Sequence, residues 1–91
     1  ARDALAMGLV SEVVPLAELA GRAEQVADNI CRQAPLALQA IKRTALQTHT
    51  SPWDEAFRFE MEQAAAVMGS RDAREGPRAF VAKREPQFRG E

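Results

Sequence analysis

Phe80 and Lys83 stand three residues apart, with Arg84 next, in the stretch Ala79-Phe80-Val81-Ala82-Lys83-Arg84. On a helix that spacing puts the ring and the ammonium on one face. A flat aromatic beside a cation suits a nucleotide, because the ring covers the base while the charge meets a phosphate. A plainer reading accounts for the same residues: Phe80 and Val81 pin the helix to the body of the protein, and Lys83 and Arg84 stay in water.

Other residues with chemical potential reduce to structural roles. His49 lies near a helix end between Thr48 and Thr50. With no acid or cysteine at ligand spacing, it reads as a solvated histidine favoured by the helix dipole. Cys31 falls beside the apolar face of its helix and has no histidine near it in sequence, so a buried structural thiol is expected rather than a nucleophile. Glu60 and Glu62 diverge by about 200° on a helix and cannot serve one substrate from one element. Asp54 and Glu55 are accounted for by capping. No glycine-rich phosphate loop, zinc pattern or nucleophile elbow is present. No catalytic residue and no metal ligand is assigned.

The elements that must carry these side chains are mostly helical. Arg2 to Met7 reads as a helix end stopped by Gly8, where a left-handed backbone suits glycine. Leu9, Val10, Val13 and Val14 form a short β-branched strand closed by Pro15. A single strand cannot satisfy its own ladder, so it must pair with a sheet outside these residues or stay extended at an edge. Leu16, Leu19, Ala23, Val26, Ala27 and Ile30 recur at helical spacing up to about Gln33. Pro35 opens a second amphipathic helix to about Thr48, with Leu38, Ile41 and Ala45 on its stripe. Ser51-Pro52-Trp53-Asp54 reads as a serine cap, a proline at the first helical position and a carboxylate reaching back. The helix that follows carries Trp53, Phe57, Met61, Ala64 and Met68 and is closed by Gly69. Ser70 and Asp72 cap a last helix, expected to break or restart at Gly76-Pro77 and to end before Pro86.

Composition bounds the function. The chain has 91 residues and an apolar share of 46%, with no tyrosine. Much of that share is alanine, which builds good helices and thin cores. A chain this size buries about 60 to 65 per cent of its unfolded surface, so an independent core is marginal and a partner surface is expected. Opening on Ala1 rather than methionine, it is expected to be a fragment or a processed product. The net charge of −1 argues against nucleic acid as a ligand. Residues 71–91 nevertheless hold six basic and four acidic groups, a local +2 able to attract a phosphate-bearing small molecule. One cysteine excludes an internal disulfide and fits a reducing compartment. With no leader and no long apolar run, neither secretion nor membrane insertion is expected, and the localisation expected is cytoplasmic.

Three stretches together resemble the C-terminal part of the enoyl-CoA hydratase/isomerase (crotonase) family: Gly8-Leu9-Val10-Ser11-Glu12-Val13-Val14-Pro15, Pro35-Leu36-Ala37-Leu38-Gln39-Ala40-Ile41-Lys42, and the run from Asp72 through Phe88. They occur in the family's order and spacing and span essentially the whole chain. Pro77 departs from the pattern, standing where a small or branched aliphatic commonly follows the Glu-Gly pair. The resemblance implies a mainly α chain, the C-terminal helical portion of a crotonase-type α/β fold with one short edge strand near residues 9–14. Residues 1–15 would end the crotonase core, and residues 16–91 would form a helical region for oligomerisation and for covering coenzyme A.

The implied function is that of an acyl-CoA hydratase or isomerase of the lyase class, in fatty acid metabolism. Its carboxylates and oxyanion amides lie in a part of the family not represented here, so this chain alone is expected to be inactive. The implied partners are an acyl-CoA thioester, as substrate rather than cofactor, and further copies of the chain in a trimer or dimer of trimers. Neither nucleic acid nor membrane is implied. In the family the aromatic and lysine of this last stretch contact the adenine and 3′-phosphate end of coenzyme A, which by position makes Phe80 and Lys83 the CoA-binding residues. The alternative is a stand-alone helical module that self-associates or binds a protein and has no catalytic parentage.

Overall fold

In the computed structural model, which describes residues 1–91, the chain folds into five α-helices and a short 3-10 turn, without a strand. It divides into two units, Ala1–Ile30 and Cys31–Glu91.

In the first unit, α1 (Arg2–Ala6) stops at Gly8, whose φ of 73° lies in the left-handed region. The N–H of Leu9 reaches back to the Ala4 carbonyl at 2.8 Å and that of Gly8 to the Leu5 carbonyl at 3.0 Å. This paired closure is the one a glycine at that position permits. The strand expected near residues 9–14 does not form, because no second strand exists among these residues to complete its ladder. Leu9, Val10 and Val14 instead line a shallow cleft with Leu19, Ala23 and Val26 of α2 (Leu19–Cys31). Arg22 of α2 anchors this stretch by a two-pronged pair with Glu12, at 2.5 and 2.6 Å. The expected helix start at Leu16 is a 3-10 turn (Leu16–Glu18), in which the Pro15 carbonyl accepts the Glu18 N–H at 2.9 Å.

The second unit is a helical hairpin with a third helix against it. Pro35 begins α3 (Pro35–Thr48), where its missing N–H costs nothing. A short link leads to α4 (Trp53–Met68), which packs on α3, and α5 (Asp72–Val81) packs on α4. The start of α4 differs from the reading of Ser51 as its cap. The Pro52 carbonyl accepts the first helical N–H, from Ala56 at 3.0 Å, while the Ser51 hydroxyl donates backward to the Gln47 carbonyl at 3.2 Å. Ser51 thus finishes α3. With proline in the cap position no side-chain oxygen is available, and the Asp54 and Glu55 carboxylates complement the helix dipole from the first turn.

A second correction concerns Pro77. The helix neither breaks nor restarts there; α5 runs through it. A proline in a helix interior forfeits a backbone hydrogen bond and crowds the carbonyl four residues before it. Here the helix is short and both of its ends are tied down by side chains described below, so the missing bond is tolerated without a break.

The amphipathic stripes read from the sequence are present but only partly covered, with Leu38 and Ala64 half-buried. Ala79 is the one fully buried hydrophobic residue, 1% exposed. Ile41, Leu46, Phe57, Met61 and Met68 all remain open, and Trp53, stacked on Phe57 at 6.2 Å between ring centres, is 79% exposed. An apolar groove bounded by Ala37, Ile41, Ala45, Ala64, Val67 and Met68 runs along the α3–α4 hairpin. Cys31, expected to be buried, is likewise free and exposed.

Candidate functional site

Helix α5 is held at both ends by the chain that follows it. At its start the Ser70 hydroxyl accepts the Ala73 N–H at 3.1 Å, the capping bond expected of Ser70. Asp72 does not share that task. Its carboxylate, 4% exposed, accepts the backbone N–H of Arg89 at 2.8 Å and of Gly90 at 2.7 Å. The Glu91 carbonyl in turn accepts the N–H of Arg71 at 2.7 Å and of Asp72 at 3.3 Å. Residues 86–91 therefore fold back along α5, with the Phe88 ring over Gly76 and Gly90 against Pro35 at the start of α3. A φ of 76° at Gly90 is what turns the tail in, a conformation open to glycine at little cost.

The other end closes with a paired turn like that after α1. The Lys83 N–H bonds the Phe80 carbonyl and the Arg84 N–H bonds the Ala79 carbonyl, both at 3.1 Å. Here the left-handed position is taken by Lys83, with φ 50°, the one non-glycine residue of the chain with positive φ. Glu75 braces this turn from inside the helix. Its carboxylate receives both arms of the Arg84 guanidinium, at 2.6 and 3.0 Å, and the Gln87 N–H at 2.9 Å. The Arg84 pair, and next the Gln87 N–H, hold the Glu75 carboxyl well below the usual range, at about 2, and Glu75 in turn raises Arg84.

The two residues singled out in the sequence stand at this closure. Phe80, in the last turn of α5, is 84% exposed, and Lys83 is exposed without an ion pair. Their relationship is not the one expected. Val81 is the last helical residue, so Lys83 stands past the helix end and its direction is set by the left-handed turn instead of by helical spacing. Neither Phe80 nor Lys83 lines the open cleft of about 530 Å³ on the tail side of α5, where Arg71, Arg74, Arg78, Arg84 and Arg89 alternate with Asp72, Glu75 and Glu91.

The carboxylates of this arrangement are already engaged. A carboxylate held near 2 is no proton donor at neutral pH, and Asp72 is occupied by two amides. His49 sits at the C-terminal end of α3, exposed, with Nδ1 3.1 Å from the Leu46 carbonyl. No group of three or more His, Cys, Asp or Glu side chains is placed to hold a metal ion. Sequence reasoning missed the roles of Asp72, Glu75 and Arg84. The i, i+3 spacing of the two acids on α5 was visible, but nothing local revealed that both face the returning tail.

The family profile described as enoyl-CoA hydratase/isomerase matches residues 1–91, the whole chain. An enoyl-CoA hydratase of Mycobacterium tuberculosis is 43% identical over 88 residues, which are 97% of this chain and 33% of that protein. Carnitinyl-CoA dehydratase of Escherichia coli K12 is 38% identical over 94 residues, covering 99% of this chain and 36% of the relative. Among solved structures, an enoyl-CoA hydratase from Bacillus anthracis superposes with a TM-score of 0.97 at 30% identity, over 100% of this chain and 35% of that one. An enoyl-CoA hydratase/isomerase from Mycobacterium paratuberculosis gives 0.92 at 36% identity, over 99% of this chain and 35% of its own. The chain thus spans about a third of the length of the relatives it matches, corresponding to their C-terminal part.

Proposed function

Because the chain belongs to the enoyl-CoA hydratase/isomerase family and matches only a third of its relatives' length, we propose that it works as the C-terminal helical part of an acyl-CoA hydratase-like enzyme. The observation that carries this reading is the family match over all 91 residues, which also disfavours a stand-alone interaction module. In the proposed enzyme the substrate is an α,β-unsaturated acyl-CoA thioester. Proton transfer and stabilisation of the thioester enolate fall to a carboxylate pair and two backbone amides outside these residues.

Within that enzyme, residues 1–15 end the catalytic core and residues 16–91 serve assembly and coverage of coenzyme A. The partly uncovered stripes on α3 and α4 support the first role, since apolar surface on this scale calls for a partner: the rest of the polypeptide or further subunits, in a trimer or a dimer of trimers. The exposed Phe80 ring and the unpaired Lys83 ammonium support the second, with the ring at the adenine and the cation at the 3′-phosphate. No helix is long and apolar enough to cross a membrane. A single free cysteine suits a reducing, cytoplasmic setting.

The test is hydration of a short enoyl-CoA, followed by loss of the conjugated thioester absorbance. The complete polypeptide should turn the substrate over, and residues 1–91 alone, freed of host enzymes, should not exceed the buffer rate. Turnover by residues 1–91 alone, or none by the complete polypeptide on any enoyl-CoA, would overturn the reading.

A further inference from the structure

The backbone of Lys83 has a left-handed φ of 50°, a conformation that a side-chain-bearing residue adopts at a cost and that glycine would supply freely. A strained residue of this kind persists only when its surroundings hold it, and its presence points to a use for the side chain. Here two backbone hydrogen bonds close the turn, from Lys83 to the Phe80 carbonyl and from Arg84 to that of Ala79, and one carboxylate braces it from outside. Glu75 grips Arg84, the residue directly after Lys83, with two hydrogen bonds, and takes the Gln87 N–H with a third. Both contacts lie beyond the turn, while Glu75 itself lies before it in the helix. Relaxing Lys83 to a negative φ would swing Arg84 and Gln87 away from Glu75, so the three bonds add to the two backbone bonds in favouring the left-handed turn.

We propose that Glu75 is a positioning residue for Lys83: by clamping Arg84 and the Gln87 amide it fixes the left-handed turn that aims the Lys83 ammonium at the phosphate of the nucleotide end of the substrate. This rests on the reading of Lys83 as a coenzyme A contact. Glu75 touches no substrate and acts only through the turn. Its charge is spent on Arg84, which leaves the neighbouring Lys83 without an internal counterion and available to an external phosphate.

The test uses the complete enzyme, with KM and kcat measured for an acyl-CoA and for a truncated thioester lacking the adenosine phosphate. Glu75→Gln keeps the side-chain volume and removes the charge. It should raise KM for the acyl-CoA about 3- to 10-fold, leave kcat unchanged, and leave both constants unchanged for the truncated substrate. In a Lys83→Ala background the same substitution should add nothing. If Glu75→Gln does not fold, Glu75→Asp keeps the charge but withdraws it by one methylene, and the same pattern is expected at smaller amplitude. A CoA-specific defect in Lys83→Ala with no effect, an additive effect, or an equal effect on both substrates from the change at Glu75 would overturn the proposal and leave the Lys83 contact standing. No CoA-specific defect in Lys83→Ala itself would overturn both.

Discussion

The carboxylate of Asp72, at the start of α5, holds the backbone N–H of Gly90, 18 residues further on, at 2.7 Å. With the Arg89 amide on its other oxygen, this one buried side chain fastens the returning tail to the helix.

Asp72→Ala should therefore loosen the tail around Arg89 and Gly90, while Gln87 stays on Glu75. Two hydrogen bonds to a charged acceptor are lost, a destabilisation of about 2 kcal/mol for closure of the tail. In the complete polypeptide, amide exchange at Arg89 and Gly90 should accelerate well before that of the helix interior. Unchanged protection at those two amides would show that the bonds of Glu75 and of the Glu91 carbonyl suffice to hold the tail.

The Glu75–Arg84 pair should make the turn acid-sensitive. A carboxyl whose value is depressed by folding adds stability above its unfolded value and loses it as pH falls through the folded one. The window runs from about pH 4.3, the ordinary glutamate value, down to about 2. Above it the pair contributes no pH dependence. Protection of the Gln87 amide should decline across that window in the wild type, and in Glu75→Gln it should be lower at neutral pH and flat. A wild-type profile that is flat down to pH 2 would contradict the assignment.

Residues 1–91 in isolation should self-associate or stay partly molten, because Ala79 alone among the hydrophobic residues is fully buried while Trp53, Phe57, Met61 and Met68 face outward. Sedimentation velocity combined with a thermal melt checks this. A monomer with a sharp cooperative transition would count against it.

Much of this organisation was legible because it is local. Gly8 ended its helix as read, since the left-handed closure needs a residue without a Cβ, and Pro35 opened α3 because it needs no N–H there. Readings failed where two local solutions competed or a distant partner decided. Ser51 could cap the helix ahead or finish the one behind, and its hydroxyl bonds Gln47. Pro77 should interrupt an isolated helix, but Glu75 ties α5 to Arg84 and Gln87 across it. The strand at residues 9–14 and the buried thiol at Cys31 both required a covering surface that these residues do not supply. At the candidate site the identities of Phe80 and Lys83 were readable, whereas the left-handed turn between helix and tail was not, because lysine gives no signal for positive φ.

That turn carries its own prediction. Lys83→Gly should stabilise the complete enzyme by about 1 kcal/mol, since glycine occupies the left-handed position without the Cβ clash, and a shifted denaturant midpoint at constant slope would register it. The same variant should bind acyl-CoA more weakly. A loss of stability instead would mean that the lysine side chain makes contacts that outweigh its strain.

The most direct measurement of the central claim is calorimetric binding of coenzyme A and of 3′-dephospho-coenzyme A to the complete enzyme and to its Lys83→Ala variant. One partly exposed charge-assisted contact contributes about 1 to 2 kcal/mol. The wild type should accordingly prefer the 3′-phosphorylated form by roughly 10-fold, and Lys83→Ala should bind the two forms almost equally, its affinity for the dephospho form unchanged. A preference for the 3′-phosphate that survives in Lys83→Ala would contradict the account.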